Sequence, residues 1–256
     1  MLKKELKNVI IKKSNTTEFI SPYSEKEKEA ILNCLIDEKA NIANEINIRL
    51  DSIDELDEKI ELQLSRTSFY DLLTTNLSVN CNIQTTDKVK NLFTKDGQPK
   101  TIENLLSRNY LSNALAVSVL IQDKNGHYLF SKRNSKVAIS PNITSVSVTG
   151  AVNDKDFEKQ NPILSCVKRE TYEELGLILT DEQINIKMIV AGEKKLQPVV
   201  LCDVIIQNDL TDIIKKANDN KKYLEENARL SIVLSGELLQ FLKCNKMTEA
   251  AIEHRS

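Results

Sequence analysis

Histidine is almost missing from this chain of 256 residues, which has only His127 and His254. One is placed in an expected hairpin and the other near the C-terminal end, which leaves no partner for a cysteine nucleophile. Cysteine is sparse as well. Cys34, Cys81, Cys166, Cys202 and Cys244 are odd in number, with no CxxC pair and no Cys/His cluster. Scattered cysteines of this kind suit a reducing compartment and are read as packing residues, Cys166 next to the acidic turn included. A charge excess is lacking too. At a formal net charge of -2 there is no global field to favour nucleic acid or a membrane surface as partner. The longest apolar runs, such as 114–121 with Ser118 inside it, are far too short to span a bilayer. Met1-Leu2-Lys3-Lys4-Glu5 lacks the apolar core of a signal peptide. No internal repeat and no low-complexity linker interrupts the chain. These absences lead to the expectation of a cytoplasmic protein with one large domain or two small ones.

What is present is concentrated in Arg169-Glu170-Thr171-Tyr172-Glu173-Glu174-Leu175-Gly176-Leu177. Positions i, i+3 and i+4 are neighbours on a helix, so Glu170, Glu173 and Glu174 are expected to converge on one point. Arg169, four residues before Glu173, is placed to brace it. Gly176 supplies the backbone freedom that commonly ends a helix. Asn161-Pro162 reads as the start of that helix, with Asn as cap and Pro at the first helical position. Leu164, Val167, Thr171 and Leu175 form a mostly apolar stripe on the other side. Converging carboxylates suit a hard divalent cation that also binds substrate phosphates, Mg²⁺ with Mn²⁺ as the alternative.

Period and turn signals organise the rest. Residues 114–121 and 128–131 read as strands joined at Asp123-Lys124-Asn125-Gly126, with Asn-Gly as a hairpin signal. Residues 144–149, 184–190, 199–206 and 229–234 read as further strands, and 210–222 and 236–243 as helices. Upstream, 24–37 reads as a helix, and 45–50 and 59–64 alternate as half-buried strands joined by 51–58. Residues 67–77 suit a short helix or loop, and 86–96 a polar surface segment. The chain divides near 106–113, giving an N-terminal α+β extension over 1–108 and a catalytic domain over 109–256. Strands alternating with helices around one sheet give an α/β sandwich.

Over roughly residues 110–256 the chain resembles the Nudix hydrolases. The box of that family runs glycine, five residues, glutamate, seven residues, then Arg-Glu-U-x-Glu-Glu-x-Gly-U, where U is a bulky apolar residue. The second half matches here, with Thr171 in an apolar slot. In the first half Gly150 is present and Asp156 stands where the glutamate would follow, with Glu158 as the alternative, and about five extra residues precede Arg169. Residues 152–160 are therefore expected to form a lengthened loop. The resemblance implies an α/β/α sandwich and a metal-dependent pyrophosphohydrolase acting on a nucleoside diphosphate derivative.

The same resemblance implies the site. Glu170, Glu174 and Glu173 would hold the cation, with the Gly150 carbonyl contributing. Glu170, Glu173 or Glu226 would serve as the catalytic carboxylate, with Glu193 also weighed for that role. Arg133, Lys132 and Glu193 would contact substrate, Arg133 through its planar fork, while Arg169 and Gly176 shape the box. A weaker similarity, carried by residues 67–77, Gln197-Pro198-Val199 and Glu225-Glu226, is to the branch that cleaves UDP-glucose and other UDP-sugars. That branch opens its box with Gly-Gly-His-x-Glu-Pro, where this chain has Thr149-Gly150-Ala151-Val152. Thr74, Thr75 and Asn76 are then expected to turn toward a ligand. The partners implied are a small nucleoside diphosphate derivative and, through the extension, a homodimer. Two other classes stay open: a nucleotide-binding regulatory protein without turnover, supported by the altered first half of the box, and a structural protein working through its N-terminal region.

Overall fold

The structure, a computed structural model, describes residues 1–35, 43–80, 87–135, 137 and 141–254, with all their side chains but those of residues 15–17, 221, 222 and 226. Cys81 and the end of the helix expected at 24–37 lie outside the described residues. The fold is mixed α/β, as the sequence pattern predicts. Compactness divides it into two units: Met1–Ala116 with Ala151–Pro162 and Met188–Val199, and Val117–Gly150 with Ile163–Lys187 and Val200–Ser256. The single cut between 108 and 109 expected from the sequence differs from this division. The first unit takes in two later segments.

The reason lies in backbone hydrogen bonds. In the first unit β1 (Leu2–Glu5) pairs antiparallel with Met188–Ala191. A three-stranded sheet runs β2 (Val9–Glu18), β4 (Lys59–Ser68), β3 (Ile46–Leu56). β4 is parallel to β2 and antiparallel to β3, which it joins through a turn with Asp57 at φ 52°. β3 also binds distant backbone: Ile48 N–H donates to Val152 O at 2.8 Å, and Leu115 N–H to Ile48 O at 2.7 Å. Such pairing satisfies strand groups that would otherwise be buried unpaired. Alternate residues of β3 and β4 fill the interior, with Ile48, Leu50, Leu62 and Leu64 fully buried.

Helices cover this sheet. α1 (Glu25–Leu35) buries Ile31 and Leu32, and its Lys28 pairs with Asp71 at 2.8 Å. α2 (Phe69–Thr74) is capped by Ser68, whose hydroxyl accepts from Asp71 N–H. The polar segment expected at 86–96 is α3 (Asp87–Asp96), because Val89 and Phe93, four apart, supply a buried stripe that its charges obscure. α4 (Ile102–Leu106) follows. α5 (Asp154–Phe157) replaces the loop expected at 152–160: Asn153 and Asp156 cap each other's backbone reciprocally, which nucleates a turn. β1 and α5 are too short for period counting to separate from loop, and β2 passes from apolar Val9-Ile10-Ile11 to polar residues without alternating.

The second unit is built on β5 (Ala116–Asp123) and β6 (Tyr128–Arg133). Their hairpin closes as Asn125 predicts: the Asp123 carboxylate accepts from the Asn125 and His127 amides at 2.9 Å, and Gly126 takes φ 81°. β5 is buried almost without alternation, the mark of a strand covered on both faces. β7 (Thr144–Val146) extends along β6, and β8 (Val148–Ala151) along β5. The chain runs through β9 (Ile184–Ala191), which passes from this unit into the first, and returns in β10 (Pro198–Ile206); β11 (Asn227–Val233) lies beside β6.

α6 (Pro162–Leu175) begins at Pro162, as read from the sequence, and buries Val167, Thr171 and Leu175. The single helix expected over 210–222 is two: α7 (Leu210–Asn218) and α8 (Lys221–Glu226). α9 (Leu238–Cys244) and α10 (Glu249–Glu253) close a core of Leu120, Tyr128, Phe130, Val146, Val233, Leu238 and Ala251. No helix among the described residues is long and apolar enough to cross a membrane.

Candidate active site

The acidic segment of α6 is held in the second unit by four neighbours, each from a different part of the chain. The first is Gly150, near the end of β8. A Cβ built there would lie inside 3.0 Å of Cγ, Cδ and Oε1 of Glu170, so the glutamate occupies the space a side chain would take. The backbone at Gly150 is not in the left-handed region. Close approach, not conformation, is what requires glycine here.

The second neighbour lies within the helix. Arg169 Nη1 donates to Glu170 Oε1 at 2.6 Å and to Glu173 Oε2 at 3.4 Å, while Nη2 lies 3.5 Å from Cys166 Sγ. Charge-assisted contacts of this kind hold both carboxylates, Glu170 buried and Glu173 half-buried. The third is Asn220, in the break between α7 and α8. Its side-chain amide donates to the carbonyls of Glu173 (2.6 Å) and Glu174 (3.1 Å). These are among the last carbonyls of α6, which no helical amide satisfies. Gly176 completes the helix end at φ 67°, its N–H donating to Tyr172 O at 2.9 Å.

The fourth is Asn227, the first residue of β11. Its Nδ2 donates to Glu174 Oε2 at 2.9 Å, and both side chains are buried. Tyr223 on α8 is wholly buried, and its hydroxyl has no hydrogen-bond partner among the described residues. Burial, and behind it the charge of Glu174, pushes that phenol above its ordinary range.

The expected meeting of three carboxylates at one point is not what the structure shows. Glu170 and Glu173 meet at Arg169, whereas Glu174 turns to Asn227. Among the described residues no group of three or more His, Cys, Asp or Glu side chains is gathered to hold an ion. Helical spacing gives residues a common face, but it does not fix where each side chain turns. The donors still match a hard cation in kind, since they are carboxylate oxygens beside a glycine backbone that a Cβ would block.

The remaining expected residues are spread more widely. Arg133 on β6 donates from Nη1 to Thr149 Oγ1 at 3.2 Å, next to Gly150, and stands opposite Asn227 in the β6–β11 register. Lys132 is its neighbour on the strand and so faces the opposite side of the sheet. Of the pair, Arg133 is the one joined to the Gly150 segment. Glu226 ends α8, and its side chain lies outside the described residues. Asp156 is spent in the α5 cap, and Glu158 is exposed at the end of that helix; both belong to the first unit. Glu193 is also in the first unit, where its carboxylate pairs with the Met1 amino group at 2.8 Å.

Thr74, Thr75 and Asn76 correct the expectation that they face a ligand. All three are fully buried. Asn76 Nδ2 donates to Asn113 Oδ1 and Leu196 O, and its Oδ1 accepts from Asn113 N–H at 2.8 Å. Thr74 Oγ1 donates back to Tyr70 O in its own helix, and Thr75 Oγ1 accepts from Ser112 N–H, so these groups are taken up inside the first unit. Asn220, Asn227, Thr149 and Tyr223 were not found from the sequence. Isolated amides and a lone tyrosine carry no spacing signal, and only the fold brings them to α6.

No family model matches this chain, and no curated protein matches it. Among solved structures it is similar to the MutT protein of Methanosarcina mazei, at 17% identity over 56% of this chain and 96% of that one, with a TM-score of 0.38. It is similar to a Nudix hydrolase from Nitrosomonas europaea at 13% identity, over 55% and 84% of the two chains, TM-score 0.38. A third likeness is to the Nudix domain of Shewanella oneidensis NrtR, solved with ADP-ribose, at 9% identity over 55% and 82%, TM-score 0.38. Identities this low leave the site to be read from the chain's own residues.

Proposed function

We propose that this protein is a metal-dependent hydrolase that cleaves the diphosphate of a nucleoside diphosphate derivative to a nucleoside monophosphate and a phosphorylated moiety. The observation that carries this reading is the seat of Glu170: a carboxylate packed on bare glycine backbone and tied by Arg169 to a second carboxylate on the same helix face. A solvated, merely decorative acidic helix would need neither the glycine nor the burial.

In this reading Glu170, Glu173 and Glu174, with the Gly150 carbonyl, hold Mg²⁺ or Mn²⁺. When bound, such a cation neutralises phosphate charge and lowers the pKa of a bound water. The chain supplies the rest. Arg169 ties Glu170 and Glu173 together through its Nη1. Arg133, planar and always charged, offers donors to a phosphate oxygen beside the Gly150 backbone. Glu170, Glu173 or Glu226 takes the proton from the attacking water, a role that asks for hydrogen-bond reach of that water. The protein would work in the cytoplasm on a small molecule, with a homodimer as its assembly.

The test is a panel of nucleoside diphosphate derivatives, UDP-glucose among them, incubated with Mg²⁺ or Mn²⁺ in oxygen-18 water and read by product mass. Label in a product phosphate, with nucleoside monophosphate released, supports the reading. Label in a sugar hydroxyl with intact nucleoside diphosphate refutes it. A second reading, a nucleotide-binding regulatory protein, draws on the altered first half of the box, where the Asp156 carboxylate accepts from Asn153 N–H in the α5 cap. Saturable nucleotide binding without turnover would favour it.

A further inference from the structure

We infer that Asn227 is a positioning residue, whose side-chain amide sets the orientation of the Glu174 carboxylate and thereby governs cation binding through it. The inference rests on the reading of α6 as a cation-binding helix. Three observations converge on it. Asn227 and Glu174 are 3% and 2% exposed, and the amide-to-carboxylate bond is 2.9 Å. A buried contact of this length is not competed away by water. The β6–β11 register shifts between Asn227 and Arg229. Register shifts at strand ends are places where a side chain can be re-aimed, and Asn227, at this shift, is the residue that reaches Glu174. Finally, the helix end carrying Glu174 is fixed independently by Asn220, through the carbonyls of Glu173 and Glu174. With the backbone held by one asparagine, the other controls only the carboxylate.

The chemistry of the donor matters. A lysine or arginine at 227 would also bind Glu174 but would bring a positive charge to a group meant for a cation. A leucine would fill the space and leave Oε2 without that donor. A primary amide donates at every pH, carries no charge, and orients the carboxylate without neutralising it. Outer partners of this type affect metal affinity by about 10- to 100-fold.

The contacts around α6 thereby close into a ring. Glu174 meets Asn227, Asn227 stands opposite Arg133, Arg133 meets Thr149, and Gly150 seats Glu170, which Arg169 joins to Glu173. Asn227 is the link from β11 back to the helix.

A double-mutant cycle on the full-length protein tests this, with Mn²⁺ affinity read from the electron paramagnetic resonance signal of the free ion. Asn227→Leu should weaken Mn²⁺ about tenfold. In the Glu174→Gln background the same substitution should produce no further loss, since its effect passes through Glu174. The urea midpoint without metal establishes that each protein is folded, and Asn227→Ser replaces Leu in the cycle if the Leu variant does not fold. Equal weakening in both backgrounds, or unchanged affinity in the single variant, overturns the positioning role and leaves the hydrolase reading standing. Wild-type protein that binds no Mn²⁺ overturns both.

Discussion

Gly150→Ala isolates the feature on which the site depends. The backbone there lies outside the left-handed region, so alanine meets no dihedral penalty and the whole effect comes from the added methyl group. That methyl falls inside 3.0 Å of three Glu170 atoms, one of which is Cγ in the middle of the side chain. To restore an ordinary contact the glutamate must move by about 1 Å, a displacement that can cost roughly 10²-fold in rate when it misplaces a reacting group. Glu170 has little room to yield, being 7% exposed and held by Arg169 at 2.6 Å. Forcing a methyl into a packed site costs about 1–3 kcal/mol. The expected result is an unfolding free energy in urea lowered by that amount together with weaker Mn²⁺ binding and about 10²-fold slower turnover. Gly236→Ala is the matched control, because a Cβ there meets nothing within 4 Å. It should leave all three measurements unchanged. A Gly150→Ala protein with wild-type stability and Mn²⁺ affinity would show that Glu170 does not depend on this seat, and the site assignment would fail.

Other perturbations probe the surroundings. Thr171 is fully buried on α6, with a hydroxyl that has no hydrogen-bond partner among the described residues. Thr171→Val should therefore raise stability by about 1 kcal/mol in urea unfolding; a loss of that size would reveal a partner for the hydroxyl. Burial holds His254 below its ordinary pKa of 6.5, against the raising effect of the Asp203 contact at 3.0 Å. The unfolded chain then takes up the proton first, so the contribution of His254 is fully present above pH ~6.5 and is lost as pH falls through its folded value. Urea midpoints measured downward from pH 8 should drop for wild type and drop less for His254→Gln; a parallel decline would refute the linkage. A chain begun near Leu105 lacks β1 and β3, the backbone partners of Met188–Ala191, Val152 and Leu115. It should unfold without cooperativity by circular dichroism, and a sharp wild-type transition would mark the N-terminal region as separable.

Most of the elements were legible in the sequence because their signals are local. The period of 3.6 in 162–175, the alternation in β3 and β4, and the Asn-Gly turn after β5 each operate over a few residues. The same holds for the chemistry of α6: the residue types in 169–176 and their common face follow from spacing alone. Elements with weak local signals were missed. β1 is a short mixed segment, β2 does not alternate, and α3 hides Val89 and Phe93 among charges. The break at Asn220 was read as continuous helix, although that break delivers the amide that caps α6.

The sequence by itself thus determined which groups the chain can bring to a site: three carboxylates and an arginine on one helix, a glycine near the end of a strand, and an arginine on an earlier strand. Only the tertiary structure decided how they are used. It placed Glu170 on Gly150, gave Arg169 to Glu170 and Glu173, and gave Glu174 to Asn227. It also turned Thr74, Thr75 and Asn76 inward. The physical reason is that helix and strand periods are fixed by backbone geometry within one element. The partner of a buried polar group is chosen by whichever donor or acceptor the rest of the chain brings within about 3 Å, and no local pattern records that choice.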